Sequence, residues 1–194
     1  MSDLFLARAI HFDESDRNVF HAPARTGEWC VSGGFEFSNW SEGDLTGKAR
    51  QAFANGWMGV ETFGRVTFVA VTKAEPFEVE AITLQLMKHF VEIYGAPSPE
   101  AARPVAEEEV AQMMELCADH APNTLLTVAR ELSDSGVRES YRFIEPQDAG
   151  IDQFGRLPQR SHRLLLGRLA LLRSRVNRLH IVDLGQLHLF VLAA

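Results

Sequence analysis

Between Leu126 and Phe143 the residues fall into register with one another before any other part of the chain is considered. Closing a hairpin at Ser133-Asp134-Ser135-Gly136 pairs Leu132 with Val137. Glu131 then faces Arg138, Arg130 faces Glu139, Val128 faces Tyr141 and Leu126 faces Phe143. Opposite charges and apolar partners coincide at each of these positions, and such cross-strand pairs are what stabilise an antiparallel ladder. A slip of one residue would turn every side chain to the other face and destroy the agreement. Two strands alone are marginal in water, so the rest of the chain has to supply more sheet and an apolar cover.

The preceding sequence offers both. Leu4, Leu6, Ile10 and Phe12 alternate with Phe5, Ala7, Ala9 and His11, which reads as a strand buried on two faces. Asp13 to Asn18 is polar turn material. Trp29, Val31, Phe35 and Phe37 share one face of a second strand, opposite Glu28, Cys30, Ser32 and Glu36, with a bulge expected at Gly33-Gly34. Asp44 to Ala54 reads as a short helix closed by Asn55 and a left-handed Gly56. Val66 to Val71 reads as a buried strand, after which Thr72 is expected to cap a helix while Glu75 reaches back to the cap amide. Val79, Ile82, Leu86, Phe90 and Ile93 form the inward stripe of that helix, ended by Gly95 and Pro97. Ser98-Pro99 opens another helix, with Ala106, Val110, Met113, Met114 and Cys117 inward. The expected fold is α+β: an antiparallel sheet of about five strands with two or three helices packed on one face.

Charge divides the chain. Its net charge is −7, yet residues 145–194 carry seven Arg against four acids, and they contain no Lys. The expected organisation is therefore an α+β domain over 1–146 and a linker with an Arg/Leu-rich extension over 147–194, the linker reading from Pro146 to Pro158. Leu165, Leu169, Leu172, Val176 and Leu179 recur at helical spacing, and Ile181 to Leu192 is apolar enough for a strand or docked tail. A net acidic chain is a poor binder of phosphate backbones, so no nucleic-acid partner is expected. Arg168 interrupts the apolar stripe of the extension, which argues against membrane attachment. Two cysteines, Cys30 and Cys117, are too few for a disulfide framework. With neither a signal-peptide pattern nor a long apolar run, the expected location is the cytoplasm.

Chemistry-bearing motifs are sparse. Gly43 to Lys48 has three residues between its glycines and Ala49 after its lysine, where a phosphate-binding loop needs four and a hydroxyl. His11, Asp13, Glu14 and Asp16 lie within six residues and suggest a divalent-ion site, but a solvated acidic turn is the better reading. Cys117 and His120 form a solitary pair, and Glu107, Glu108 and Glu109 suit a helix start. No metal and no cofactor are expected. The richest stretch is Asn55 to Arg65, where Trp57, Glu61 and Arg65 crowd a connection between a helix and a buried strand. Arg65 there could anchor a carboxylate or phosphate and Trp57 could wall a pocket.

The run Asp44-Leu45-Thr46-Gly47-Lys48-Ala49-Arg50-Gln51-Ala52-Phe53-Ala54-Asn55-Gly56, continued by Phe63-Gly64-Arg65, resembles a small family of uncharacterised bacterial proteins. The resemblance continues through Tyr94-Gly95-Ala96-Pro97 to Ile144-Glu145-Pro146, covering residues 1–146 and not the tail. It supplies no catalytic residue, and implies at most an association with accessory proteins for redox-enzyme maturation. The leading expectation is a non-catalytic accessory or binding protein with a protein partner or as a homo-oligomer. The alternative is a small-anion or metabolite binder, or an enzyme, using Trp57, Glu61 and Arg65.

Overall fold

The computed structural model describes residues 3–133 and 136–145. The expected linker, Arg/Leu-rich helix and apolar tail lie outside them. The sheet has seven strands, two more than the sequence suggests, in the order β4-β3-β2-β1-β5-β6-β7, and every neighbouring pair is antiparallel. The strands are β1 (Leu4–Ile10), β2 (Trp29–Val31), β3 (Trp57–Gly59), β4 (Arg65–Val66), β5 (Phe68–Ala74), β6 (Leu125–Ser133) and β7 (Gly136–Ile144). The helices are α1 (Ser15–Val19), α2 (Gly47–Asn55), α3 (Pro76–Tyr94) and α4 (Pro99–Ala118).

The β6–β7 hairpin pairs as its residues dictate, with all five expected partners opposite one another. Centrally, β1 pairs along its whole length with β5, from Leu4↔Ala74 to Ile10↔Phe68. Ala7 and Ala9 are fully buried there, and α4 lies over β1 with the small residues Ala102 and Ala106 among those it buries. Small side chains on both elements allow this close approach. α3 packs on α4, contributing Ile82, Leu86, Met87 and Phe90 to the core. Ile93, expected on the inward stripe, is 65% exposed because the inward face of the last turn of α3 runs from Phe90 to Tyr94, which pack on the core and on Phe35, and leaves Ile93 to solvent. Among the described residues no helix is long and apolar enough to cross a membrane.

Several local readings change. The second strand stops at Val31, because Gly33 turns left-handed (φ 67) and Gly34–Phe37 forms a 3-10 turn that buries Phe35 and Phe37. Strand β3 fills what reads as a loop, and Thr67 separates β4 from β5 where one strand is expected. The polar turn after β1 contains the short α1, and the helix expected at Asp44 begins at Gly47, behind a 3-10 turn over Glu42–Asp44. Gly56 ends α2 in an extended conformation (φ −91) and so is not the left-handed closure expected. Its need for glycine is steric, as a Cβ there would sit 2.8 Å from the Ala52 carbonyl oxygen. The cap of α3 is shifted: Glu75 and Glu78 make the reciprocal bonds, Glu75 N donating to Glu78 at 2.9 Å, while Thr72 belongs to β5. The start of α4 is as expected, the Ser98 hydroxyl accepting from Ala101 N at 3.2 Å.

Candidate functional site: a buried pair of arginines

Strands β5, β1 and β2 separate β6 from β3 in the sheet, yet side chains on β6 and β7 touch the β3 end. Trp57 on β3 stacks on Tyr141 of β7 with ring centroids 5.7 Å apart. The sheet therefore curls until its two ends meet, and the polar groups between them form the most chemically loaded part of the described molecule.

Arg130, whose side chain is fully buried, clasps the closure. Its Nε donates to Glu139 Oε1 at 2.6 Å, its Nη1 to the carbonyls of Phe53 (3.0 Å) and Gly56 (2.8 Å), and its Nη2 to the Ser32 carbonyl (2.5 Å). The C-terminal carbonyls of α2, which lack helical partners, thus receive a buried cation, a favourable end for a helix dipole. Glu139 also accepts from the hydroxyls of Ser32 and Tyr141. Burial opposes ionisation of Glu139, but Arg130 and the two hydroxyls outweigh it and hold the carboxyl below its ordinary value. Burial and the adjacent carboxylate push the Tyr141 phenol far up.

Arg65 is placed by backbone packing. Its N–H donates to the Ala22 carbonyl at 2.7 Å and its carbonyl accepts from Ala24 N at 2.9 Å. Gly64 lets the strands approach, since a Cβ there would lie 2.7 Å from Pro23 and Ala24 backbone atoms. The guanidinium donates to Gly56 O (3.0 Å) and Gly33 O (3.2 Å) and pairs with Glu36. Both arginines share the Gly56 carbonyl and flank the Phe37 ring, at 4.7 and 5.4 Å from its centroid. Burial lowers the Arg65 pKa, with Glu36 opposing the shift, but an arginine remains protonated.

Toward the surface this cluster ends in Glu36, whose side chain is 36% exposed, beside His89 and Tyr94. Phe63, at an unfavourable φ of 53, stacks on the His89 ring at 3.6 Å. Partial burial lowers the His89 pKa, so the imidazole is neutral at pH 7, while burial and Glu36 raise that of Tyr94.

The structure brings Trp57 and Arg65 into this cluster and leaves Glu61 exposed on the turn between β3 and β4. Trp57 is fully buried and its Nε1 has no hydrogen-bond partner. Glu36, Glu139 and Ser32 are members that sequence reasoning missed; for Glu139 the signal was its position opposite Arg130. Of the other motifs, only His11 and Asp16 stay together, with His11 Nε2 3.3 Å from Asp16 Oδ2. Asp13 accepts from Ser15 N, Glu14 pairs with Arg17, and among the described residues no three His, Cys, Asp or Glu side chains are grouped to hold a metal. Burial pushes the Cys117 thiol up to about 12, while His120 stacks on Phe143 and contacts Glu145 at 3.1 Å. Glu107 pairs with Arg103, but Glu109 is buried, contrary to the solvated reading of that triplet.

Residues 4–160 match the sequence model of a family of unknown function, DUF6505. The chain belongs to this family. No curated protein and no solved structure matches it. In this DUF6505 member the arginine pair can do one thing well, which is to neutralise carboxylates and carbonyls in a water-poor interior and so hold the curled sheet shut.

Proposed function

We propose that this DUF6505 protein acts by binding, as an accessory protein that works through its surface, and that the outer face of α3 is where it docks. One observation carries the reading. Phe77, Ala81 and Leu84 recur at four- and three-residue steps on the solvent side of α3, with Phe77 73% and Leu84 48% exposed. The inner stripe of the same helix is already buried, so this second apolar stripe has no core to serve. The arginine cluster supports a role without chemistry of its own, because its donors are directed at internal carbonyls and carboxylates.

The occupant is a second copy of the chain. In an antiparallel pairing of two α3 helices that cross between Ala81 and Ile82, Phe77 lies two residues, about 3 Å, along the axis from Leu84 of the copy. Lys88 falls level with Glu75 of the copy, so opposite charges as well as apolar residues face each other twice, as an isologous interface requires. Sedimentation velocity tests this: the protein is expected to dimerise between about 1 and 100 µM, and Phe77→Glu/Leu84→Glu to stay monomeric while melting normally. A monomeric parent protein throughout that range sinks the proposal.

The partial exposure of Glu36 favours a second reading, in which a small carboxylate or phosphate takes its place on Arg65. Thermal-shift screening with benzoate and inorganic phosphate should then stabilise Glu36→Gln more than the parent. No shift in either protein rules it out.

A further inference from the structure

Away from the arginine pair and from α3, the residues just after β1 meet the turn before β2. Asp16 is 4% exposed and is locked by Thr67, whose hydroxyl donates to Oδ1 at 2.6 Å and whose backbone N–H donates to Oδ2 at 3.2 Å. His11 Nε2 lies 3.3 Å from Asp16 Oδ2, and its Nδ1 lies 2.9 Å from the exposed Thr26 hydroxyl. Thr26 occupies a tight turn in which Glu28 N donates to Arg25 O at 3.2 Å and Gly27 adopts φ 85. The buried Glu28 carboxylate pins that turn, accepting from Arg25 N at 2.9 Å and from the Thr62 hydroxyl at 3.0 Å.

We propose that Thr26, His11 and Asp16 form a hydroxyl–imidazole–carboxylate relay in which Thr26 is an activated nucleophile toward acyl esters. In the tautomer protonated on Nε2 that N–H faces Asp16 Oδ2, 3.3 Å away, a charge contact looser than a hydrogen bond. Nδ1 is then bare and accepts from the Thr26 O–H, the tautomer a general base needs. Asp16 and Thr67 are positioning residues; Thr26 and His11 would touch the reacting atoms. The Thr26 N–H donates to no protein acceptor among the described residues and is available to a developing oxyanion.

The step balances without an outside redox partner. The Thr26 Oγ–carbon bond forms, the hydroxyl proton passes to His11 Nδ1, and the bond to the leaving alkoxide breaks as His11 returns that proton to the leaving oxygen. Water then repeats the sequence to release the acid and restore Thr26. Nothing in it depends on the α3 surface or on Arg65, so it stands or falls by itself.

A fluorophosphonate probe tests it on the full-length protein, because the Oγ–phosphorus bond forms as fluoride departs and the proton leaves through His11 to solvent. Intact mass and peptide mapping are expected to place the adduct on Thr26. Thr26→Val should abolish it, while His11→Gln should slow labelling at least about tenfold, the lower side of what a general base supplies. Thr26→Val keeps the branched shape of an exposed side chain and removes its hydroxyl contact with His11, and circular dichroism with thermal melting verifies that both variants are folded. Absence of a Thr26 adduct in the parent, or labelling at an unchanged rate in folded His11→Gln, overturns the relay and leaves His11 as a strut for the turn.

Discussion

Replacing Arg130 with methionine removes a cation with no exposed side-chain surface and leaves behind everything it was neutralising. Glu139, whose side chain is 14% exposed, loses its counter-charge, and the carbonyls of Ser32 and Phe53 lose their donor. Breaking a buried ion pair from one side costs roughly 3–5 kcal/mol, and an orphaned carbonyl about 1–3 kcal/mol before relaxation. A loss of about 5 kcal/mol is therefore expected, or roughly 10–20 °C in melting temperature for a protein of this size. Urea unfolding followed by circular dichroism measures it. Adding Glu139→Gln to the variant removes the stranded charge and should restore about 2 kcal/mol, so the double-mutant cycle shows strong coupling. The pH dependence should invert as well. In the parent the Glu139 carboxyl is held below its ordinary 4.5, so its contribution is complete above that value and is lost as pH falls through the lower folded value. Without Arg130, burial raises that pKa, and acidification from pH 7 to 5 should stabilise Arg130→Met while leaving the parent nearly unchanged. Additive single substitutions, or a variant that weakens with acid over that range, would refute the clasp.

Two further outcomes follow from packing. Gly64→Ala places a Cβ against Pro23 and Ala24 backbone that has no soft end to yield, so a loss of about 1–3 kcal/mol is expected by the same urea titration. Cys30 and Cys117 are buried, and burial raises both thiols, so a thiol-reactive dye at pH 8 should label neither in native protein and both in urea.

The β6–β7 hairpin is legible because its information is local: each residue from Leu126 to Phe143 meets a partner fixed by one turn. The inward stripes of α3 and α4 are legible for the same reason, except at Ile93, which is exposed. The split after Val31 was not, because continued alternation through Phe35 and Phe37 satisfies a strand pattern while the left-handed Gly33 breaks it. The cap of α3 was displaced because Thr72 and Glu75 meet the same spacing rule as Glu75 and Glu78, and only pairing with β1 keeps Thr72 in the sheet. Of the cluster, Arg65 and Trp57 stand out in the sequence as unusual residues among glycines, whereas Glu61 lies exposed on the turn between β3 and β4. The sequence shows Arg130 and Glu139 as cross-strand neighbours, which they are, but carries no sign of their burial. That burial comes from α2 and Ser32, which approach only when the sheet curls.

The clasp has a consequence for the order in which the chain matures. Arg130 reaches Ser32 across 98 positions of sequence, and Glu139 reaches it across 107. A ribosome adding about 5–20 residues per second delivers β1 to β5 and all four described helices before it delivers this cation. Until β6 and β7 emerge, the end of α2 and the Ser32 carbonyl wait without their counterpart, and the nascent domain stays an open trough. Shortening the gene from its 3′ end past codon 125 should therefore release a soft, protease-sensitive polypeptide, although each earlier element is present.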